Sequence, residues 1–139
     1  MEIKDHNGKV TTAATDIASI VNSIIKAMDE HDRDKEHFYC IGLDVKNRVK
    51  YIDLASMGTL TSSLVHPREA FRLAIMRGVA NLIFSHNHPS GDPNPSREDI
   101  TITERLKASG EILGIKILDH VIVGNGTGSY ASMLEKGYL

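Results

Sequence analysis

The sequence is poor in residues that cross-link or stack. Its 139 residues hold one cysteine, Cys40, no tryptophan, three phenylalanines, four tyrosines and four prolines. A single thiol excludes an intrachain disulfide framework and a cysteine-based zinc cluster. The few aromatic rings leave a base-stacking platform poorly supplied, and a formal net charge of −2 lacks the basic balance of a dedicated nucleic-acid binder. No apolar run approaches the roughly 20 residues of a membrane span. The first residues, MEIKDHNGKV, are polar, without the apolar stretch of a signal peptide. The expected setting is therefore cytoplasmic, with no membrane partner. No G-x-x-x-x-G-K-[ST] or G-x-G-x-x-G occurs, which argues against a nucleotide cofactor. P-C-x-x-C and H-x-E are also missing, which disfavours a nucleobase deaminase.

What remains is an ordinary globular composition, 41% hydrophobic and 24% charged, with seven histidines. The length fits one core. After a loose lead-in over 1–15, Ile17, Ile20, Val21, Ile24, Ile25 and Met28 follow the spacing of an amphipathic helix. Thr15 or Asp16 is its expected cap, and the polar run 29–35 its end. HFYCIGLD and VKYIDLA predict a β-hairpin turning near Lys46 to Arg48. Pro67 suits a helix start, with Ala70, Phe71, Ala74 and Ile75 on the buried side and Gly78 as the stop. A short buried strand is expected over 79–85. A helix follows Ser96, carrying Ile100, Ile102, Leu106 and Ile112 and ending at Gly110 or Gly114. IKILDHVIVG reads as another strand, and a short strand or turn is expected from Ser129. The order αββαβαβ indicates an α/β (α+β) fold, a mixed sheet covered by helices.

The chemistry concentrates in HNHPSGDPNPSRED, residues 86–99. Three of the four prolines stiffen this loop. If the backbone bends just past the strand, His86 and His88 turn their imidazoles toward one point, and Asp99 returns at the start of the next helix. Two nitrogens and one oxygen suit Zn²⁺ and leave a position for water, which is hydrolytic chemistry. The plainer alternatives are a solvated polar turn and a Ser96-x-x-Asp99 capping box. The hydroxyl of Ser96 can accept from the helix and still donate its proton to a developing oxyanion. An Asp99 held by a metal would be less free to cap.

H-x-H-P-x6-S-x-x-D resembles the metal motif of the JAMM/MPN metalloprotease superfamily, with every position filled. The text from HPREAF to LDHVIVG is similar to the RadC-like JAMM domain almost residue for residue. The similarity runs from about Lys35 to Leu139 and weakens in the first helix, so the expected division is 1–34, a tail and helix, and 35–139, the RadC-like domain. The resemblance implies a curved mixed sheet flanked by helices, related to the cytidine-deaminase fold. It implies His86, His88 and Asp99 as Zn²⁺ ligands, Ser96 as oxyanion donor and Glu36 as general base. Glu69, in HPREAF, competes for that last role, and Glu36 also reads as part of the solvated run DEHDRDKEH.

Other side chains have smaller expected roles. His120 is a candidate support for the site, together with Asp119. Ser90 and Asn87 line the loop. Cys40 reads as a buried core residue. His6, His31, His37 and His66 read as surface or turn positions. Full-length family members carry a helix-hairpin-helix-like region before this domain, where this chain has one helix and a tail, and the stretch from Asp99 to Ile115 leaves little room for the insertions by which eukaryotic relatives hold ubiquitin. The leading expectation is a zinc-dependent hydrolase of peptide or isopeptide bonds, with a peptide or protein substrate. The alternative is a DNA-repair-associated module, DNA-binding or nuclease, resting on the family's traditional link to DNA repair and on Arg68, Arg72, Lys46, Arg48 and Lys50. The contiguous letters H-N-H are not the HNH nuclease motif. The oligomeric state is left open.

Overall fold

Alternating side chains build one central sheet with an apolar cluster on each face. The structure, a computed structural model, describes residues 2–3, 8, 13–58 and 65–139. In chain order the elements are β1 (Glu2–Ile3), α1 (Ala14–Lys26), α2 (Glu30–Arg33), β2 (Glu36–Leu43), β3 (Val49–Gly58), α3 (Pro67–Ala70), α4 (Arg72–Arg77), β4 (Asn81–His88), α5 (Arg97–Leu113), β5 (Lys116–Gly124) and β6 (Tyr130–Ser132). The sheet order is β1-β3-β2-β4-β5-β6. Only β4 and β5 pair in parallel; the other neighbours are antiparallel. Parallel strands need a crossover, and α5 supplies it.

On one face, α1 lays Ile17, Ile20, Val21 and Ile25 against Tyr39, Ile41, Ile52, Ile83 and Val121. On the other, Phe38, Cys40, Tyr51, Leu82 and Phe84 pack under Ala70, Phe71, Ala74, Ile102 and Leu106. The strands β2, β3 and β4 thus feed both clusters. Cys40 is fully buried there, and burial pushes its thiol pKa well up, as expected of an inert core residue. No described helix is long and apolar enough to cross a membrane.

Several expectations need correction. Glu2–Ile3 is an edge strand on β3 within the supposed lead-in. The N-cap of α1 is Ala13, without a side-chain bond, so neither Thr15 nor Asp16 caps it; both lie inside the helix. The polar run after α1 contains α2, capped by Asp29, whose carboxylate accepts from the Asp32 N–H. The helix expected from Pro67 is two short pieces meeting at Phe71. Ile75 (59% exposed) and Ile112 (87%) face outward, because the buried stripes run through Ala70, Phe71 and Ala74 and through Ile102 and Leu106. Gly114, at φ 73°, ends α5. Gly110 lies within the helix, where a Cβ would meet the Ile115 carbonyl at 2.5 Å. Most relevant to function, β4 does not stop at Ser85 but runs to His88, since Asn87 and His88 still pair with Val123 and Gly124 of β5.

At that end the loop after β4 folds back onto the end of β5. A Cβ on Gly124 would overlap the Gly91 carbonyl and meet Thr127 Oγ1 at 2.9 Å. Backbone cannot yield as a flexible side chain can, so Gly124→Ala is expected to cost about 1–3 kcal/mol. A urea or thermal melt checks this, and an unchanged midpoint would show that the loop does not rest on β5 as described.

Candidate metal centre

The two motif histidines meet because they sit on a strand. In β4, Leu82, Phe84, His86 and His88 alternate onto one face, so no bend is needed to bring the imidazoles together. Their Nε2 atoms are 3.2 Å apart. His86 is buried (1% exposed) and lies against the Phe38 ring at 6.1 Å between centroids. The third group arrives through α5, which begins where the proline-stiffened loop ends. Asp99 Oδ1 is 3.1 Å from His86 Nε2, and Oδ2 is 3.0 Å from His88 Nε2.

Asp99 occupies that place as part of the helix start. The Ser96 hydroxyl accepts from the Asp99 N–H at 3.1 Å, and the Ser96 N–H donates to Asp99 Oδ2 at 2.8 Å, a reciprocal capping box. The expected conflict between capping and facing the histidines does not arise. A carboxylate has about four lone-pair positions, and the cap takes one. The positive end of the α5 dipole also favours the ionised form.

The outer hydrogen bonds orient the rings. Thr103 Oγ1 donates its only proton to the Asp99 carbonyl at 2.8 Å, so it accepts from His120 Nδ1 at 2.6 Å. Burial, reinforced by nearby His86, holds the His120 pKa well below its ordinary value, and the ring is neutral. Its Nε2 therefore accepts from His86 Nδ1 at 2.7 Å, which turns His86 Nε2 toward Asp99. His88 Nδ1 donates to the Asp92 carbonyl at 2.8 Å, which turns its Nε2 toward Asp99. Two imidazole Nε2 atoms and two carboxylate oxygens thus converge on one another. The bond to Asp99 raises the His88 pKa against the effect of burial. For Asp99, burial alone would raise the pKa, but the contacts with His86 and His88 outweigh it and hold the carboxyl well below the usual range.

Glu36 opens β2 beside this cluster. One of its carboxylate oxygens and one nitrogen each from His86 and His88 all lie within 4.8 Å of one another, a group able to hold a metal ion. Glu69 is elsewhere, on the exposed side of α3 by a depression shared with Asp53, Leu54, Ala55 and Arg72. His120 lies directly behind His86, and the Asp119 carboxylate accepts from the His120 N–H at 2.7 Å. It also accepts from Ser132 Oγ at 2.6 Å and from the Leu134 N–H at 3.1 Å, fastening the C-terminal turn. Ser90 Oγ accepts from the Asp92 N–H at 3.3 Å within the turn.

His37 is buried (1% exposed) rather than at the surface. It stacks near Tyr39 at 6.3 Å, because the alternation of β2 turns it toward the α1 face. His31 is exposed and His66 partly so; His6 lies outside the described residues. Thr103 and Asn125 escaped notice in the sequence. Thr103 carried a usable signal, since it sits four residues after Asp99 on one helix face. Asn125 carried none. Of the basic residues weighed for nucleic acid, Arg48 is paired with Asp44 at 2.7 Å, and Arg68 and Arg72 fall on separate short helices.

Comparison with known proteins places this geometry in a family. A family model described as a RadC-like JAB domain matches residues 11–138, which include α1. Over 126 residues the chain is 48% identical to a UPF0758 protein of Caldanaerobacter subterraneus subsp. tengcongensis, covering 91% of this chain and 52% of the relative. It is 52% identical over 105 residues to a UPF0758 protein of Bacillus licheniformis (76% and 46% covered). It is 51% identical over 105 residues to one of the archaeon Methanococcoides burtonii (76% and 45%). The chain spans about half the length of these relatives. With a matched model over most of its length and relatives about half identical over the aligned residues, the chain belongs to the RadC-like JAB domain family.

Proposed function

We propose that the chain is a zinc-dependent metallohydrolase that cleaves peptide or isopeptide bonds with an activated water. The observation that carries this reading is the convergence of His86 Nε2, His88 Nε2 and the Asp99 carboxylate. The spacing of their facing atoms, 3.0–3.2 Å, is close to the edge of about 3.3 Å between ligands around a tetrahedral zinc with bonds near 2.0 Å. Two imidazoles and one carboxylate are a borderline-soft N/O set suited to that ion. When bound, Zn²⁺ would polarise the scissile carbonyl and make a water acidic enough to attack at neutral pH.

The chain's own groups supply the proton movements. Glu36 is near enough to take the proton of the attacking water on its carboxylate and pass it to the departing amine, the acid–base cycle that amide cleavage needs. Ser96 uses its oxygen as an acceptor in the cap, and its O–H remains to donate to the developing oxyanion. His120 and Thr103 hold His86 in the tautomer that presents Nε2. The sequence resemblance to JAMM metalloproteases supports the same assignments.

Two expected outcomes test this. Glu36→Gln is to retain zinc, read by metal quantification on the purified chain, while cleavage of a fluorogenic peptide library falls by about 10²-fold or more. His86→Ala is to lose the zinc itself. Full zinc content in His86→Ala, or wild-type cleavage by Glu36→Gln, contradicts the assignment. Thr103→Val, nearly isosteric, removes the acceptor behind His120. It is expected to weaken zinc binding by about 10–100-fold in a chelator competition titration; unchanged affinity would mean the relay does not set the His86 tautomer.

A further inference from the structure

The residue between the two histidines has its own bonds to the strand that carries Glu36. Asn87 is fully buried, and the alternation of β4 points its side chain to the face opposite the imidazoles. The backbone pairing of β2 with β4 ends at Phe38↔His86. The next step would set His37 against Asn87 and Glu36 against His88. In its place, Asn87 Oδ1 accepts from the His37 N–H at 2.7 Å, and Asn87 Nδ2 donates to the Lys35 carbonyl at 3.0 Å. One side-chain amide therefore pairs with the peptide groups on both sides of Glu36. Its second N–H goes to Asn125 Oδ1 at 3.1 Å, and Asn125 Nδ2 donates to the Arg33 carbonyl at 2.7 Å. All the hydrogen-bonding protons of the Asn87 amide are committed.

We infer that Asn87 is a positioning residue that brackets Glu36 and sets its carboxylate beside the histidine pair. A backbone rung at this step would draw the two strands together where Glu36 and His88 face each other. The longer side-chain rung holds the β2 end at a defined separation, and Asn125 braces it from the segment before Glu36. Because Asn87 follows one histidine and precedes the other, any shift of β4 moves the imidazoles and the Glu36 backbone together. A catalytic constellation keeps its geometry when such supporting bonds are satisfied and rigid. The inference rests on the reading of Glu36 as the proton carrier at a metal centre.

The test uses the whole chain with cobalt(II) as the metal probe and ¹³C-labelled glutamate. Paramagnetic broadening of the Glu36 carboxyl carbon reads its closeness to the ion, and it falls with the sixth power of distance. The variants are Asn87→Ala, which removes the bracket, and Asn87→Asp, which keeps the acceptor for His37 and turns the donor toward Lys35 into an oxygen. Both are expected to bind cobalt at the wild-type stoichiometry, while the Glu36 broadening drops by about fivefold. Loaded variants with unchanged broadening overturn the inference and leave the metal centre standing. Loss of the fold or of the metal in both variants also overturns it, since Asn87 would then be a structural residue only. A wild-type chain that takes up no cobalt or zinc removes the metal reading itself, and the inference with it.

Discussion

The meeting of two imidazoles and a carboxylate at the end of β4 is the constraint around which the site is organised. Three side chains meet there at hydrogen-bonding distance, and a chain of bonds behind His86 orients its ring. Thr103 sends its proton to a helix carbonyl, His120 follows by donating to Thr103, and His86 by donating to His120. Each link is forced by the one before, since a carbonyl can only accept and a hydroxyl has one proton to give.

The fold delivers those groups through two simple devices. Strand periodicity places two imidazoles on one face, and the crossover from β4 to β5 returns a helix N-terminus beside them. The capping box then serves two ends at once, starting α5 and fixing the Asp99 carboxylate. On the other side, the Asn87 and Asn125 amides tie in the start of β2. The centre thus draws on β2, β4, β5 and α5, while the apolar clusters on the two faces keep those elements in register.

Much of this was legible in the sequence, and the physical reason differs from part to part. His86, His88, Ser96 and Asp99 declare themselves because a proline-stiffened loop and a capping box have fixed local spacing. The hairpin of β2 and β3 is visible from two apolar runs around a polar turn. The end of β4 was not visible, because histidine and asparagine are poor strand formers and only pairing with β5 carries the strand through them. His37 looked like surface because it follows a charged run, whereas the strand begins one residue earlier, at Glu36, and turns it inward. The outward-facing Ile75 and Ile112 show that helical spacing alone does not decide which side of a short or terminal turn is covered. Asn87 and Asn125 act through contacts between segments distant in sequence, which no local pattern encodes.

Anomalous diffraction at the zinc absorption edge, from crystals of the zinc-loaded chain, tests the convergence of bases most directly. The account predicts a single peak bonded to His86 Nε2, His88 Nε2 and the Asp99 carboxylate, with His86 Nδ1 still bonded to His120. Zinc-loaded crystals with no peak at that point, or with the metal held by other residues, would contradict it.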